Sequence, residues 1–435
     1  SSTIFDGLSL TFDDGTHGTY DVAYPDEITA LSGATVGMTY QGGGNACIYD
    51  SSPTSGTVIY MGFPFETIYP ESSRNSVMES AMNYFDLPVE APTIKSVIRS
   101  ASDSVDIIWD GYASEGFRLL QKTGISGSWT QIKNETELGS SARSTTVSGL
   151  SSLTIYCFKI RAVNGTGASA DSDVMVCNLP MGDIGSPILL VDGYDRWNDQ
   201  SGGANHTFLE NFADALPNYR FDSCTNEAVT DGSISLSSYD AVMWMCGEES
   251  TESETVSYTE QTLIQDYLKS GGKLFMSGAE IGWDLVDEAG GDNNYSNGSS
   301  NDTPFYNNYL KSNYIDDDAN EYYARGVSSS IFDGVSFDFD DGTHGTYDPN
   351  YPDVISAQTG GDDVLYYGTT GADVAAITFS GTVSGGSSPA QIVYFGFPFE
   401  TIYNASDRFT VMSVIVDGFF QLGPAPVELS VFSVE

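Results

Sequence analysis

Basic residues are scarce in this sequence, where 16 lysines and arginines stand against 60 aspartates and glutamates for a net charge of −44. Nucleic acids and anionic membranes both bind cationic protein faces, so we expect neither as a partner. Histidine is rarer still, with three residues in the whole chain. The acidic composition is typical of a secreted protein, and it leaves divalent cations as candidate ligands of aspartate-rich loops.

Long apolar runs are also missing. No run reaches the roughly 20 residues of a membrane-spanning helix, so we predict no membrane insertion. No signal peptide opens the sequence, and if the protein is exported we expect the leader to have been removed. Hydrophobic residues still make up 40% of the chain, which is enough for ordered cores.

Cysteine is sparse as well, and no two cysteines have the CxxC spacing of a zinc site or a thioredoxin-like motif. We therefore predict no metal centre of that kind and no organic cofactor. Most of the thiols are expected to be small buried side chains. The five residues are Cys47, Cys157, Cys177, Cys224 and Cys246.

What the sequence does contain is a long-period internal repeat. Three blocks near the start recur almost unchanged near the end, which indicates a duplicated domain rather than a short solenoid repeat. The matched blocks are Ile4–Asp21 with Ile331–Asp348, Tyr24–Asp26 with Tyr351–Asp353, and Gly62–Tyr69 with Gly396–Tyr403. The first copy, residues 1–87, is truncated, because it has short strand patterns and one helical pattern, Arg74–Phe85, without preceding central strands.

This truncation predicts that residues 1–87 do not stand alone. The strand Thr57–Phe63 would form an unpaired apolar edge beside the apolar face of the Arg74–Phe85 helix, and such an edge recruits another strand or aggregates. We expect an upstream part of the same polypeptide to supply the missing half, with strand addition by a neighbouring molecule as the alternative. Head-to-tail addition of the second kind gives open filaments unless a ring closes.

Residues 88–180 have a different pattern. After a linker marked by proline, short strands recur at regular spacing, with Trp109 on an early strand and Leu150 shortly before an alternating run, Tyr156–Asn164. These marks resemble a fibronectin type III domain. The resemblance implies a β-sandwich that serves as a spacer or a binding module.

Two cysteines fall on the last two strands predicted for this domain. A hairpin centred near Gly167 would place Cys157 and Cys177 directly opposite each other, and opposed residues of an antiparallel pair are close enough to bridge. We therefore predict that they can form a disulfide in an oxidising compartment.

Residues 186–427 alternate between strand and helix patterns, which predicts a doubly wound α/β sheet. Near-continuous apolar strands, such as Pro187–Asp192 and Tyr239–Met245, are typical of parallel sheets. The run Gly271–Gly282 contains a Gly-Gly turn, a strand and a second glycine-flanked turn. It resembles the flavodoxin-like, class I glutamine amidotransferase-like group, in which that second turn is an elbow carrying a nucleophilic cysteine.

Glu280 occupies the place of the nucleophile in this turn, Gly278-Ala-Glu-Ile-Gly282. Glutaminase chemistry needs a thiol or hydroxyl there with a base beside it, so the resemblance implies an inactive elbow. We expect the Glu280 carboxylate to accept backbone N–H bonds at a helix start instead.

The predicted fold class is therefore α/β plus all-β, in the order truncated α/β copy, fibronectin-like sandwich and complete α/β domain. This order, and runs such as Gly247-Glu-Glu-Ser250, resemble modules of large secreted proteins of Bacteroidota, often labelled fibronectin type III or xanthan-lyase-like. The segment 428–435 resembles the start of a further module in substrates of type IX secretion. The resemblance implies an extracellular or cell-surface location and a chain that is one stretch of a longer array.

Acidic side chains follow several strands of the α/β domain, and ligands favour the carboxyl edge of such sheets. Glu248, Glu249 and Glu280 are predicted to converge there with Asp192 and Asp195. Carboxylates placed together can exchange protons with a substrate or hold a metal. The alternative is a set of solvated loop acids in a protein full of acids.

His344 is a second candidate, as a base or metal ligand beside those acids. Its twin His17 lies in a copy that lacks them, which favours a structural role in a glycine-flanked turn. The nearby Asp338, Asp340 and Asp341 are candidate calcium ligands, although EF-hand spacing is absent.

The function predicted from these features is a non-catalytic structural or adhesive array of a secreted, cell-surface or filament-forming protein. Its expected partners are other copies of the same array, with carbohydrate as a further candidate. One alternative is an extracellular hydrolase of polysaccharide or peptidoglycan that uses Glu248, Glu249, Glu280 and His344. The other alternative is a carbohydrate-binding module.

Overall fold

The structure is a computed structural model, and it describes residues 3–52, 56–85, 90–165, 167–179, 187–196, 206–250, 254–287 and 299–423. The predicted module start at 428–435 lies outside these residues. The chain divides into two compact units, which are described separately. The first unit comprises Ser1–Glu90, Ala113–Glu115 and Val163–Ser169, and the second comprises the rest. Across the described residues, no helix combines the length and the apolar character that crossing a membrane requires.

The first unit is built from a small antiparallel sheet and one long helix, as the patterns in residues 1–87 predict. Its elements are β1 Thr11–Phe12, β2 Thr35–Thr39, β3 Asn45–Ser52, β4 Gly56–Met61, β5 Ile68–Tyr69 and α1 Glu71–Tyr84. The strand order β2-β3-β4 leaves β4 at an edge of the described sheet. The core is small, and Cys47, Ile68 and Val77 are its completely buried members.

The second unit begins with the β-sandwich predicted for residues 88–180. Its strands are β6 Thr93–Ala101, β7 Ser104–Asp110, β8 Gly116–Thr123, β9 Thr130–Lys133, β10 Ser144–Ser148, β11 Ile155–Asn164, β12 Gly167–Ala168 and β13 Met175–Asn178. The last two residues of β11 and the whole of β12 are assigned to the first unit. Buried Trp109 packs edge-to-face on Phe117, with ring centroids 5.6 Å apart. The Tyr156 hydroxyl accepts a hydrogen bond from the Ser151 amide at 2.9 Å, the corner contact expected before this strand. Strand β6 was not predicted, because its lysine, serines and arginine make the sequence look like a polar linker.

The predicted direct opposition of Cys157 and Cys177 is wrong. In the pairing of β11 with β13, Cys157 lies opposite Val176 and Cys177 lies opposite Tyr156. A shift of one residue puts the two side chains on opposite faces of the strand pair. Asn164 pairs with Gly167, so the hairpin is not centred on Gly167. Both thiols are unbridged and buried.

Strands of the α/β domain pair in parallel within the second unit, in the spatial order β15-β14-β16-β17-β24. These strands are β14 Ile188–Asp192, β15 Phe221–Thr225, β16 Ala241–Gly247, β17 Lys273–Gly278 and β24 Ala390–Phe395. Strands β14, β15 and β16 are buried along their whole length, as expected for apolar strands covered on both faces. The helices of this domain are α2 Leu209–Asp214, α3 Asn226–Thr230, α4 Tyr258–Lys269, α5 Ile281–Val286, α6 Asp302–Asn308 and α7 Ala405–Ser413, which continues as a π-helix over Val414–Phe419.

An antiparallel layer lies between β17 and β24 in the sequence, and it extends the sheet beyond β24. Its strands are β18 Ser312–Asp316, β19 Tyr323–Gly326, β20 Ser336–Asp338, β21 Val354–Ala357, β22 Gly361–Tyr367 and β23 Val374–Gly381. Strand β24 is therefore paired on both sides, in parallel with β17 and antiparallel with β23. This central position of β24 matters below, because β24 is the repeat of the edge strand β4.

The sandwich and the parallel sheet are continuous within the second unit. Strand β15 pairs with β6 through Ser223 opposite Val97, so the two sheets share hydrogen bonds. A buried ion pair, Lys122 Nζ to Glu210 Oε2 at 2.7 Å, links the sandwich to α2. The fibronectin-like segment and the α/β domain therefore form one compact body rather than two independent beads.

Candidate functional site

The carboxyl ends of the parallel strands bring together the acids predicted from the sequence. The order of the sheet reverses between β14 and β16, and ligands of open α/β sheets bind at such a switch point. The relevant side chains are Asp192 at the end of β14, then Asp195, Glu248, Glu249 and Glu280 in the loops that follow the strands. All of them except Asp195 are buried, with exposed fractions of 9% or less, so these acids are not solvated loop residues.

The turn between β17 and α5 has the strained geometry of an elbow. Glu280 has φ 58° and ψ 14°, in the left-handed region that is unfavourable for a residue with a side chain. Glycines flank it because neighbours approach closely: a Cβ on Gly278 would lie 2.8 Å from the Cys246 Cβ, and one on Gly282 would lie 2.6 Å from Tyr314. The turn thus presents residue 280 as an elbow presents a nucleophile, but the side chain is a carboxylate.

The expectation that Glu280 caps the α5 helix is wrong. Its side chain makes no capping hydrogen bond, because its left-handed backbone lacks the extended conformation of an N-cap residue. Ser250 hydrogen-bonds to the Glu280 carboxylate. Burial raises the pKa of Glu280 above its usual value. The Gly282 amide at the helix start donates instead to Asp353 Oδ2 at 2.6 Å. The cap therefore comes from the repeated region of the chain.

Glu249 joins the two loops that meet at the switch point. Its Oε2 atom accepts hydrogen bonds from the amide of Asp195 at 2.8 Å and from the amide of Arg196 at 2.9 Å. The residue is 1% exposed. Charge-assisted bonds to backbone N–H groups are among the stronger hydrogen bonds in proteins. Glu249 thus fixes the loop after β14 to the loop after β16.

Glu248 is buried beside Glu249 and carries a perturbed carboxyl group. Burial raises its pKa to about 7, the neighbouring Glu280 adds to the rise, and a hydrogen bond from Asn350 opposes it. That bond joins Asn350 Nδ2 to Glu248 Oε1 at 2.8 Å. A carboxyl group with this pKa is suited to general acid–base chemistry at neutral pH. In this structure it also ties the loop after β16 to the repeated region.

A cavity of about 530 Å³ lies beside the ends of β14 and β15, and five of the thirteen residues that line it are acidic. His206, which the sequence analysis did not single out, forms part of the wall and is 5% exposed. Its Nε2 atom lies 3.1 Å from the carbonyl oxygen of Tyr194 and 3.6 Å from Asp192 Oδ1. Burial raises the pKa of Asp192 well above its usual range, and the nearby charges of Asp173 and Asp195 act in the same direction. An acidic cavity of this kind suits a cation or a proton-exchanging pair.

Two buried carboxylates at this edge, Asp353 and Glu400, were missed by the sequence reasoning. Glu400 Oε1 accepts a hydrogen bond from the Tyr347 hydroxyl at 2.6 Å. Complete burial raises the pKa of Glu400 to about 7. The available signal was the repeat itself, since Tyr-Pro-Asp and Phe-Pro-Phe-Glu recur unchanged in both copies.

His344 lies in its own loop rather than among these acids. Its ring stacks on Tyr403 with centroids 4.0 Å apart, and its amide donates to Asp340 Oδ1 at 2.8 Å. The other Asp340 oxygen accepts two hydrogen bonds from Thr346, so this buried carboxylate organises the turn. In the other copy His17 stacks on Tyr69 in the same way, at 3.9 Å.

This loop is also where calcium was predicted, at Asp338, Asp340 and Asp341. Asp340, Asp341 and His344 could hold a metal ion as a group, and so could the twin residues of the first copy. Asp341 Oδ1 already accepts hydrogen bonds from the amide and hydroxyl of Thr343. Calcium at this loop stays a prediction.

Comparison with known proteins finds fibronectin type III domains among the similar solved structures. No protein-family profile matches the sequence, and no curated protein matches it. The third fibronectin III domain of human KIAA0343 protein is 24% identical, with 23% of this chain and 88% of that chain covered and a TM-score of 0.19. The FN5 domain of Drosophila Lar is 18% identical, with coverages of 22% and 99% and a TM-score of 0.19. The twitchin kinase region from C. elegans is 21% identical, and the match covers 22% of this chain and 17% of that structure with a TM-score of 0.20.

Proposed function

We propose that this chain is a non-catalytic structural or adhesive array of modules in a secreted or cell-surface protein. We further propose that its α/β part is a flavodoxin-like, amidotransferase-like domain. The order of the parallel strands, which runs second, first, third, fourth, fifth along the chain, supports this assignment. A fold hosts many functions, so the proposed role depends on the site and not on the fold.

The observation that carries the proposal is that the acids at the sheet edge hold the protein's own loops together. Glu249 binds two backbone amides, Glu248 binds Asn350, and Asp353 binds the amide of Gly282. Each bond joins two segments that are distant in sequence. A carboxylate that acts on a substrate must instead reach the proton that it transfers. The elbow also lacks the thiol or hydroxyl that covalent acyl transfer requires.

A hydrolase remains the second candidate because of one observation, the pKa of Glu248 at about 7. Glu248 lies close enough to Glu280 for the charge of Glu280 to raise that pKa. Paired carboxyl groups with separated pKa values are the basis of glycoside hydrolysis. His344 is no part of this candidate, since its ring contacts lie within its own loop and on Tyr403.

Turnover assays separate the two candidates. The purified chain is incubated with glutamine, with peptidoglycan and with a panel of acidic and neutral polysaccharides, and released ammonia and reducing ends are measured. We expect no turnover above the blank for the natural chain. Turnover that disappears in Glu280→Gln, and that persists in the exposed control Glu321→Gln, would establish the hydrolase.

Binding and assembly assays test the positive side of the proposal. Light scattering and electron microscopy should show association of the native protein with further copies of the same array. Saturable binding on a glycan array without turnover, from a chain that stays monomeric, would select the carbohydrate-binding module instead.

A further inference from the structure

The repeated region occurs twice in this chain with the same internal architecture. Strand β4 pairs with β3 as β24 pairs with β23, and a helix follows in both copies. Matching side-chain bonds confirm the equivalence. The hydroxyl of Tyr20 donates to Glu66 as that of Tyr347 donates to Glu400, each at 2.6 Å. Arg74 donates to the Ile68 carbonyl as Arg408 donates to the Ile402 carbonyl, again at 2.6 Å.

The two copies nevertheless differ sharply in the burial of one apolar face. Large side chains that are fully buried in the second copy are exposed at the equivalent positions of the first. The exposed fractions are 56% for Val58 against 0% for Ile392, 51% for Tyr60 against 0% for Tyr394, 46% for Met78 against 0% for Met412, and 40% for Met82 against 0% for Val416. We call the set Val58, Tyr60, Met78 and Met82, with the outer edge of β4, the first-copy face.

Residues 187–330 cover the equivalent face of the second copy. Strand β17 pairs in parallel with β24 from Lys273 opposite Gln391 to Ser277 opposite Phe395. Helix α2 packs on α7, where Asp214 Oδ2 lies 3.5 Å from Arg408 Nη2. Tyr306 packs edge-to-face on Tyr394, with ring centroids 5.7 Å apart.

A polar group marks the same difference. Asp353 is fully buried in the second copy, where its Oδ2 atom accepts the Gly282 amide at the start of α5. Its twin Asp26 is exposed. Both residues keep the same backbone bond, from the amide of Asp26 to the Gly62 carbonyl at 2.7 Å and from the amide of Asp353 to the Gly396 carbonyl at 2.8 Å. The first copy therefore keeps the backbone arrangement that positions the capping aspartate, but the Asp26 side chain is exposed, whereas that of Asp353 is buried against the start of α5.

We infer that the first-copy face binds a half-domain of the same type as residues 187–330. That half-domain adds a parallel strand to the edge of β4, lays a helix over α1, and presents a helix start to Asp26. This inference names the partner of the proposed array, and it rests on the proposed function for its biological setting.

The occupant is a further half-domain rather than the chain's own residues 187–330. Those residues are already engaged, because β17 is paired with β16 on one side and with β24 on the other. Residues 1–435 contain two copies of the second half and one of the first, so the segment 187–330 cannot fill both faces. Edge strands with apolar side chains recruit a partner strand through their unpaired N–H and C=O groups.

The test uses an extended chain in which a second copy of residues 187–330 is placed directly before Ile4. This junction reproduces the one between Ser330 and Ile331 in the natural chain. Oxidation of methionine by hydrogen peroxide is followed by peptide mass spectrometry, because it depends on exposure of the sulfur. In the unextended chain Met78 and Met82 should oxidise rapidly and Met412 slowly. In the extended chain we expect Met78 and Met82 to be protected by on the order of tenfold or more, approaching the rate of Met412. Unchanged rates for Met78 and Met82 would overturn the inference.

Two tyrosine variants of the extended chain sharpen the result. Tyr60→Asp places a charge in the new interface and should restore rapid oxidation of Met78. Tyr258→Asp, at a position with a similar exposed fraction of 59%, should leave the protection intact. Equal effects of the two variants would count against docking at this face.

Deuterium exchange of the natural chain gives a measurement that does not depend on the extended one. Amides of Val58–Met61 should exchange faster than those of Ile392–Phe395, since the strand pairing described for Val58–Met61 is with β3 alone, whereas β24 pairs with both β23 and β17. Equal protection would mean that the face is already covered, and it would contradict the inference. Docking in the extended chain together with substrate turnover by the natural chain would refute the proposed function and leave the docking surface in place.

Discussion

Replacement of one tyrosine in each copy tests the difference between the copies most sharply. Tyr394 is completely buried and packs on Tyr306, whereas its twin Tyr60 is 51% exposed. Truncation of a large buried aromatic to alanine costs about 3–5 kcal/mol, because it removes apolar burial and leaves a cavity. Truncation of a half-exposed residue outside such a core changes the free energy of unfolding by about 0.5 kcal/mol or less.

The assay is urea unfolding, followed by tryptophan fluorescence and by deuterium exchange of peptides from both copies. Trp244 belongs to the same core cluster as Tyr394, so its fluorescence reports on that core. With a denaturant dependence of about 3 kcal/mol per molar, Tyr394→Ala should lower the urea midpoint by about 1 M or more. Tyr60→Ala should leave the exchange of the α1 helix nearly unchanged.

A milder variant isolates the ring from its hydroxyl. The Tyr394 hydroxyl lies 3.4 Å from that of Tyr306, so Tyr394→Phe removes one long hydrogen bond and should cost about 1 kcal/mol. Equal destabilisation by Tyr60→Ala and Tyr394→Ala would refute the reasoning, since it would mean that both faces are packed in the isolated chain.

Three further predictions concern the sheet edge and the thiols. Folding raises the pKa of Glu248 from 4.5 to about 7. Its contribution to stability should therefore be complete below about pH 4.5 and be lost as the pH rises through 7. Thermal unfolding measured across this range should show a weaker pH dependence of stability for Glu248→Gln. The control variant Glu321→Gln, at an exposed position, should behave like the natural chain. Glu249→Ala leaves two loop amides without their acceptor and should lower the free energy of unfolding in urea by about 1–3 kcal/mol. Glu249→Gln should lower it less, because the amide oxygen can still accept. Peptide mapping without reductant should find Cys157 and Cys177 unbridged, and a bridged peptide would show that the strand register differs from the one described.

Local patterns predicted much of the fold because they follow from local chemistry. Helix α4, for example, begins at a capping box made by Ser257 and Glu260, a contact between residues three apart in the sequence. Continuous apolar runs became the buried parallel strands. Strand β6 was missed, since its role depends on pairing with β7 and β15 rather than on its own polar sequence.

The site was less predictable, and the repeat shows why. The octapeptide Gly62–Tyr69 is identical to Gly396–Tyr403, yet Glu66 is exposed while Glu400 is completely buried. The sequence around each glutamate is the same, so its environment is decided by elements far away in the chain. Glu280 illustrates the reverse case, because the strained turn was predictable from its glycines while the partner of its side chain was not.

Electron microscopy of the native protein, isolated without denaturant, tests the central claim most directly. The account predicts a repeating assembly in which a half-domain like residues 187–330 covers Tyr60 and the edge of β4. Dispersed monomers with that face bare at every concentration would contradict it.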